Sequence, residues 1–234
     1  MVEFFNGLLI FLAYLIPLAI IILIIRKTTK IPDELFRKIL HFILLGAYIP
    51  LLFGFQTWWL CVLLIVVLIV LLFPTLILVG KIPGISRFLY ERKKGEFKSS
   101  MVLALGIMIL SITVCWGIFD DKYLVLASVY SWGIGDAFAA LIGKRYGKHK
   151  IKWKFVDNKK SYEGSLAMVI SSTIAVFVVL LIRGGISPLF CLLIAFLSAL
   201  ASTFVELCSK KGLDTITCPI VSMLVIIPLV LIGV

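Results

Sequence analysis

Eight stretches of this chain are apolar for about 20 residues each, the length a helix needs to cross ~30 Å of hydrocarbon. They run Gly7–Ile25, Ile39–Phe55, Thr57–Val79, Ser100–Phe119, Tyr123–Ile142, Gly164–Ile182, Ser187–Leu207 and Ile216–Val234. None alternates polar with apolar, as the strands of a membrane barrel would. With 62% hydrophobic residues and a mean hydropathy of +1.17, a water-facing surface would expose far more carbon than soluble proteins tolerate. Hydrocarbon offers the backbone no hydrogen-bond partner, so such stretches must be helices. The expected fold is therefore an all-α integral membrane protein. It is a bundle of about eight transmembrane helices forming a single polytopic membrane domain over residues 1–234.

The charges between the runs set an orientation. Of the 23 Lys and Arg, 21 fall in alternate connections: Arg26–Lys38, Gly80–Ser99, Gly143–Glu163 and Cys208–Thr215. The other side holds two, Lys122 and Arg183. The positive-inside rule puts the basic loops in the cytoplasm and, with an even number of spans, both termini outside. The net charge of +11 is then read as topology and attraction to anionic lipid headgroups; no nucleic acid partner is expected. The first run lacks a basic leader region and a cleavage site, so it is expected to be a retained helix. Lys81–Lys98 is too polar to span. Ile85, Phe88 and Leu89 at helical spacing beside Arg92, Lys93 and Lys94 suit either an interfacial helix or a plain basic loop. The five cysteines are scattered, mostly inside apolar runs, without a paired spacing and read as small apolar residues.

Chemistry is concentrated at the basic ends of the runs. Twelve acidic residues exist, and Asp136, Glu163, Glu206 and Asp214 sit near cytoplasmic helix ends. A carboxylate there must be hydrated, paired with a cation or used, so a structural clamp and a reactive site are both open. The run Gly135–Lys150 interleaves Gly135, Gly143 and Gly147 with Lys144, Arg145, Lys148, His149 and Lys150. Free backbone N–H groups beside cations suit a polyphosphate. The block Lys159–Ser165 opens the next run, and a helix N-terminus attracts phosphate. Lys160, Ser161 and Gly164 could add charge, hydroxyl and backbone contacts. Glu163 beside them makes sense with a divalent cation, since magnesium bridges carboxylates and phosphates. Arg37 and His41 share one face of the second run; His41 is either a hydrogen-bonded structural residue or a base.

Together these residues resemble the membrane lipid-alcohol kinase family that includes dolichol kinase, phytol kinase and the CTP-dependent diacylglycerol kinases. The likeness rests on Arg37, Lys38 and His41, and on Gly135, Asp136, Ala137, Ala139, Gly143 and Gly147. Lys160, Ser161, Glu163, Gly164 and Ser165 extend it, as do Glu206, Asp214 and Pro219. Thr215 stands where the family pattern has Asn. The middle blocks are also similar to CDP-diacylglycerol synthases, whose C-terminal signature this chain lacks.

The resemblance implies CTP as phosphate donor, a nucleoside triphosphate bound with Mg2+, and a membrane lipid alcohol as acceptor. On that reading Asp136 and Glu163 hold the metal, Lys144, Lys160 and the glycines grip phosphates, and Asp214 or His41 handles the hydroxyl proton. Two other readings stay open. A cytidylyltransferase would release pyrophosphate, and a non-catalytic lipid transporter would line the midplane with polar residues.

Overall fold

The computed structural model describes residues 1–29, 31–79, 96–153, 156, 160–209 and 212–234. Among the described residues the chain is helical, with an isolated bridge between Lys150 and Ser161 and no strand. In chain order the helices are α1 (Val2–Thr28), α2 (Asp33–Gly46), α3 (Tyr48–Phe53), α4 (Trp58–Val79) and α5 (Glu96–Ser111). They continue with α6 (Lys122–Tyr146), α7 (Tyr162–Arg183), α8 (Pro188–Cys208) and α9 (Asp214–Gly233), and a π-helical stretch, Ile112–Ile118, extends α5. The basic segment Lys81–Lys94, with its candidate interfacial helix, lies outside the described residues.

Six helical segments are long and apolar enough to cross a membrane: Val2–Thr28, Leu35–Phe53, Lys122–Tyr146, Tyr162–Arg183, Pro188–Cys208 and Asp214–Gly233. The other two expected spans coincide with shorter apolar helices, Trp58–Leu71 and Val102–Ile118. The chain is thus an all-helical, multi-pass integral membrane protein. Its outward surface carries large bare side chains such as Ile20, Leu23, Ile174, Leu192 and Leu224, which hydrocarbon covers at no cost.

Local sequence explains the breaks. Pro50 has no N–H to give the Gly46 carbonyl, and the helix of the second run divides at Ala47 into α2 and α3. Ile31 precedes Pro32, a position biased away from helix, and α2 begins just past it. Asp121 caps α6 by accepting from the N–H groups of Tyr123 (2.8 Å) and Leu124 (3.2 Å). Its other oxygen takes Arg183 Nε at 2.5 Å, which ties the start of α6 to the end of α7. Past Arg183 the chain turns through Gly184 at φ 73°, a conformation glycine adopts without strain. The cysteines are all free, and four of the five are buried, as small apolar residues would be.

α6 is the axis of the bundle. It packs on α7, α8, α9 and α2, and its buried face runs from Leu124 to Ala137. The helix continues to Tyr146, four residues beyond the apolar run, so Gly143 and Lys144 belong to its last turns. α1 lies at the periphery with only Gly7, Phe11 and Ile22 buried.

Candidate active site at the meeting of four helix ends

The starts of α2, α7 and α9 and the end of α8 converge on α6 around Gly133 and Asp136, about three turns before α6 ends. Lys38 Nζ lies 2.6 Å from Asp136 Oδ2 and also donates to the Asp136 carbonyl at 3.3 Å. The lysine is only 5% exposed, so its charge depends on that carboxylate. One turn further along α2, His41 donates through Nε2 to the Gly133 carbonyl at 2.9 Å. A carbonyl only accepts, which fixes that nitrogen as the protonated one. Lys160 Nζ meets Glu206 Oε1 at 2.7 Å and also reaches the Glu206 carbonyl. Asp214, half-buried at the start of α9, lies within electrostatic reach of Asp136, Glu206 and Lys160. Arg37 acts on Asp136 and His41 from the same side. Three carboxylates therefore share one field with two lysines, an arginine and a histidine.

Glu163 is directed elsewhere. Its carboxylate accepts from the N–H groups of Lys148 (3.2 Å) and His149 (3.1 Å) and from His149 Nδ1 (2.6 Å). It anchors the turn after α6. The expected Asp136–Glu163 metal pair is thus given two different sets of partners; the carboxylates that share Asp136's field are Glu206 and Asp214.

The glycines also have a different setting from the expected phosphate cradle. A Cβ on Gly135 would strike Ser172 Oγ. On Gly147 it would strike the Gly143 carbonyl, and on Gly164 it would come within 3.0 Å of the Ala139 carbonyl. With Gly143 close against Gly164, these residues let α6 and α7 approach each other. Ser161 caps α7 by accepting from Gly164 N–H at 3.2 Å and is 3% exposed, so its hydroxyl is spent on the helix. Lys144 stands exposed on the last turn of α6.

Three residues had no role assigned from sequence: Lys38, Glu206 and Trp132. Lys38 and Glu206 are charges at the edge of apolar runs and stood out for that reason, but nothing local named their partners. Trp132 looks from sequence like any core aromatic. In the structure its ring meets His41 edge-on, with centroids 5.4 Å apart.

A bundle of membrane-crossing helices with two lysine–carboxylate pairs and a third carboxylate gathered near one end defines a multi-pass membrane protein with an interfacial polar site. A 97-residue stretch of the chain is 36% identical to the phytol kinase of Synechocystis sp., covering 42% of this chain and 40% of that protein. A 48-residue stretch is 48% identical to the dolichol kinase of Saccharomyces cerevisiae, covering 20% of this chain and 8% of that protein. The matches span less than half the length of either curated relative. Both of these relatives are named as kinases of lipid alcohols. No family model and no solved structure matches the chain.

Proposed function

We propose that this protein transfers the γ-phosphoryl group of a nucleoside triphosphate to the hydroxyl of a membrane lipid alcohol. The observation that carries the reading is the convergence of Lys38, Asp136, Lys160, Glu206 and Asp214 at one end of an apolar bundle. A lipid hydroxyl and a water-soluble triphosphate meet only at such an end. The named relatives support an alcohol acceptor, and the family resemblance favours CTP as donor. The alcohol oxygen attacks the γ-phosphorus, the bond from that phosphorus to the β,γ-bridging oxygen breaks, and the nucleoside diphosphate leaves. The hydroxyl proton passes to Asp214, while His41, held through Gly133, keeps its ring fixed beside the site. Lys160 and Lys38 supply positive charge where the phosphates gather, and charge neutralisation dominates the rate of such transfers.

Among the described residues no three His, Cys, Asp or Glu side chains form a closed metal cage. Mg2+ keeps several of its waters and takes only one or two carboxylates together with substrate phosphates, so two carboxylates in one field would suffice for it. Asp136 and Glu206 would hold it, and bound there it would offset phosphate charge. In our reading the chain crosses the membrane eight times with the site in the cytoplasm and both termini outside, because 21 of 23 basic residues lie on the site's side. Anionic headgroups would surround those loops.

The test is transfer of label from γ-32P-CTP to phytol, a polyprenol or diacylglycerol by purified protein. Labelled lipid phosphate is expected, and chelation with EDTA abolishes it. Pyrophosphate release with formation of a CDP-lipid would overturn the kinase reading.

A further inference from the structure

Trp132 lies on α6 one turn inward from Asp136. It is 6% exposed, and its indole N–H has no hydrogen-bond partner. A buried donor left unmade carries its full desolvation cost, so such an atom marks a place where an acceptor arrives. The side chain belongs to the site. Its ring abuts His41, and its N–H lies beside the Asp214 carboxylate without reaching hydrogen-bond geometry. Two more buried hydroxyls without partners, Ser202 and Ser222, stand one turn inward from Glu206 and two turns inward from Asp214.

We infer that Trp132 Nε1 and Asp214 together hold the hydroxyl oxygen of the acceptor alcohol, the indole donating to that oxygen and the carboxylate accepting its hydrogen. A hydroxyl is both donor and acceptor, and this pair of groups reads both capacities at once. A hydrocarbon of equal length would leave both unpaired. The inference rests on the kinase reading for the identity of the occupant, but it concerns binding and is tested without nucleotide.

The experiment measures equilibrium binding of a tritiated C20 isoprenoid alcohol, and of the matching C20 hydrocarbon, to the whole protein in detergent. The unmodified protein is expected to prefer the alcohol about tenfold, the worth of one or two hydrogen bonds. Trp132→Phe is expected to shrink that preference to about twofold or less and leave hydrocarbon binding unchanged, the sign that the bundle is intact. Asp214→Asn is expected to shrink it as well. Equal binding of alcohol and hydrocarbon by the unmodified protein overturns the inference, whatever the variants do. So does a Trp132→Phe protein that keeps the full preference, which would mean that water or nothing occupies the indole. If alcohol is preferred as expected but no label is transferred from CTP, the kinase reading falls and the hydroxyl site stands.

Discussion

The ammonium of Lys38 and the carboxylate of Asp136, 98 residues apart in sequence, lie 2.6 Å from each other. The pair ties α2 to the axis of the bundle. Removing one partner leaves the other charge half-solvated inside the protein, which costs on the order of 3 kcal/mol where such pairs are buried. Lys38→Met is expected to lower the free energy of unfolding in detergent by about that amount. The double replacement Lys38→Met with Asp136→Asn is expected to lower it by less than the two single changes added together. Phosphoryl transfer should fall at least about 100-fold in each, since charge placement sets the rate. Additive losses of stability would show that the pair does not act as a unit.

Glu163 and Asp136 are expected to respond differently to the same chemical change. Glu163→Gln keeps an acceptor for the Lys148 and His149 amides, so transfer should drop by less than about tenfold, mostly through a raised KM for nucleotide. Asp136→Asn should lose far more, in kcat. Equal, near-complete loss in both would restore the metal pair expected from sequence.

Gly135 and Gly106 make a matched contrast. An alanine at Gly135 would drive its Cβ into Ser172 Oγ, and overpacking of that kind costs on the order of 1–3 kcal/mol. Gly106, in α5, has nothing within 4 Å of where a Cβ would sit. Gly106→Ala should therefore be neutral or stabilising by up to about 1 kcal/mol. Thermal unfolding of the two variants side by side reads the difference.

Orientation can be checked by labelling. Gln56 and Lys148 are exposed and stand at opposite ends of the bundle. On intact cells a membrane-impermeant maleimide should modify Gln56→Cys and spare Lys148→Cys, and disruption of the membrane should open the second. The reverse pattern would turn the whole bundle over and place the site outside.

The apolar runs announced the helices because burial in hydrocarbon demands nothing subtler than length and carbon. Their ends were harder to read. The fifth run stops at Ile142, yet α6 goes on to Tyr146, since Lys144 and Arg145 are good helix formers that need not lie in lipid. Asp136, Glu206 and Asp214 were visible as rare acids at the right ends of runs. Their partners were not, because Lys38 and Lys160 reach them across 98 and 46 residues, and no local spacing encodes that. Glu163 shows the opposite case. It stands next to Lys160 and Ser161 in sequence, but its side chain leaves toward the turn at His149. With the glycines, the chain displays an absent side chain and says nothing of whether a ligand or another helix fills the space.

Residues 38, 136, 160, 206 and 214 come from nearly the whole length of the polypeptide. The last of them opens α9. A ribosome must therefore have passed Asp214 before the constellation can exist, and a chain cut short ahead of it would enter the bilayer with both lysine–carboxylate pairs but without the third carboxylate and the helix that carries it. Such a product would be incompetent from birth and conspicuous to the proteases that patrol the membrane.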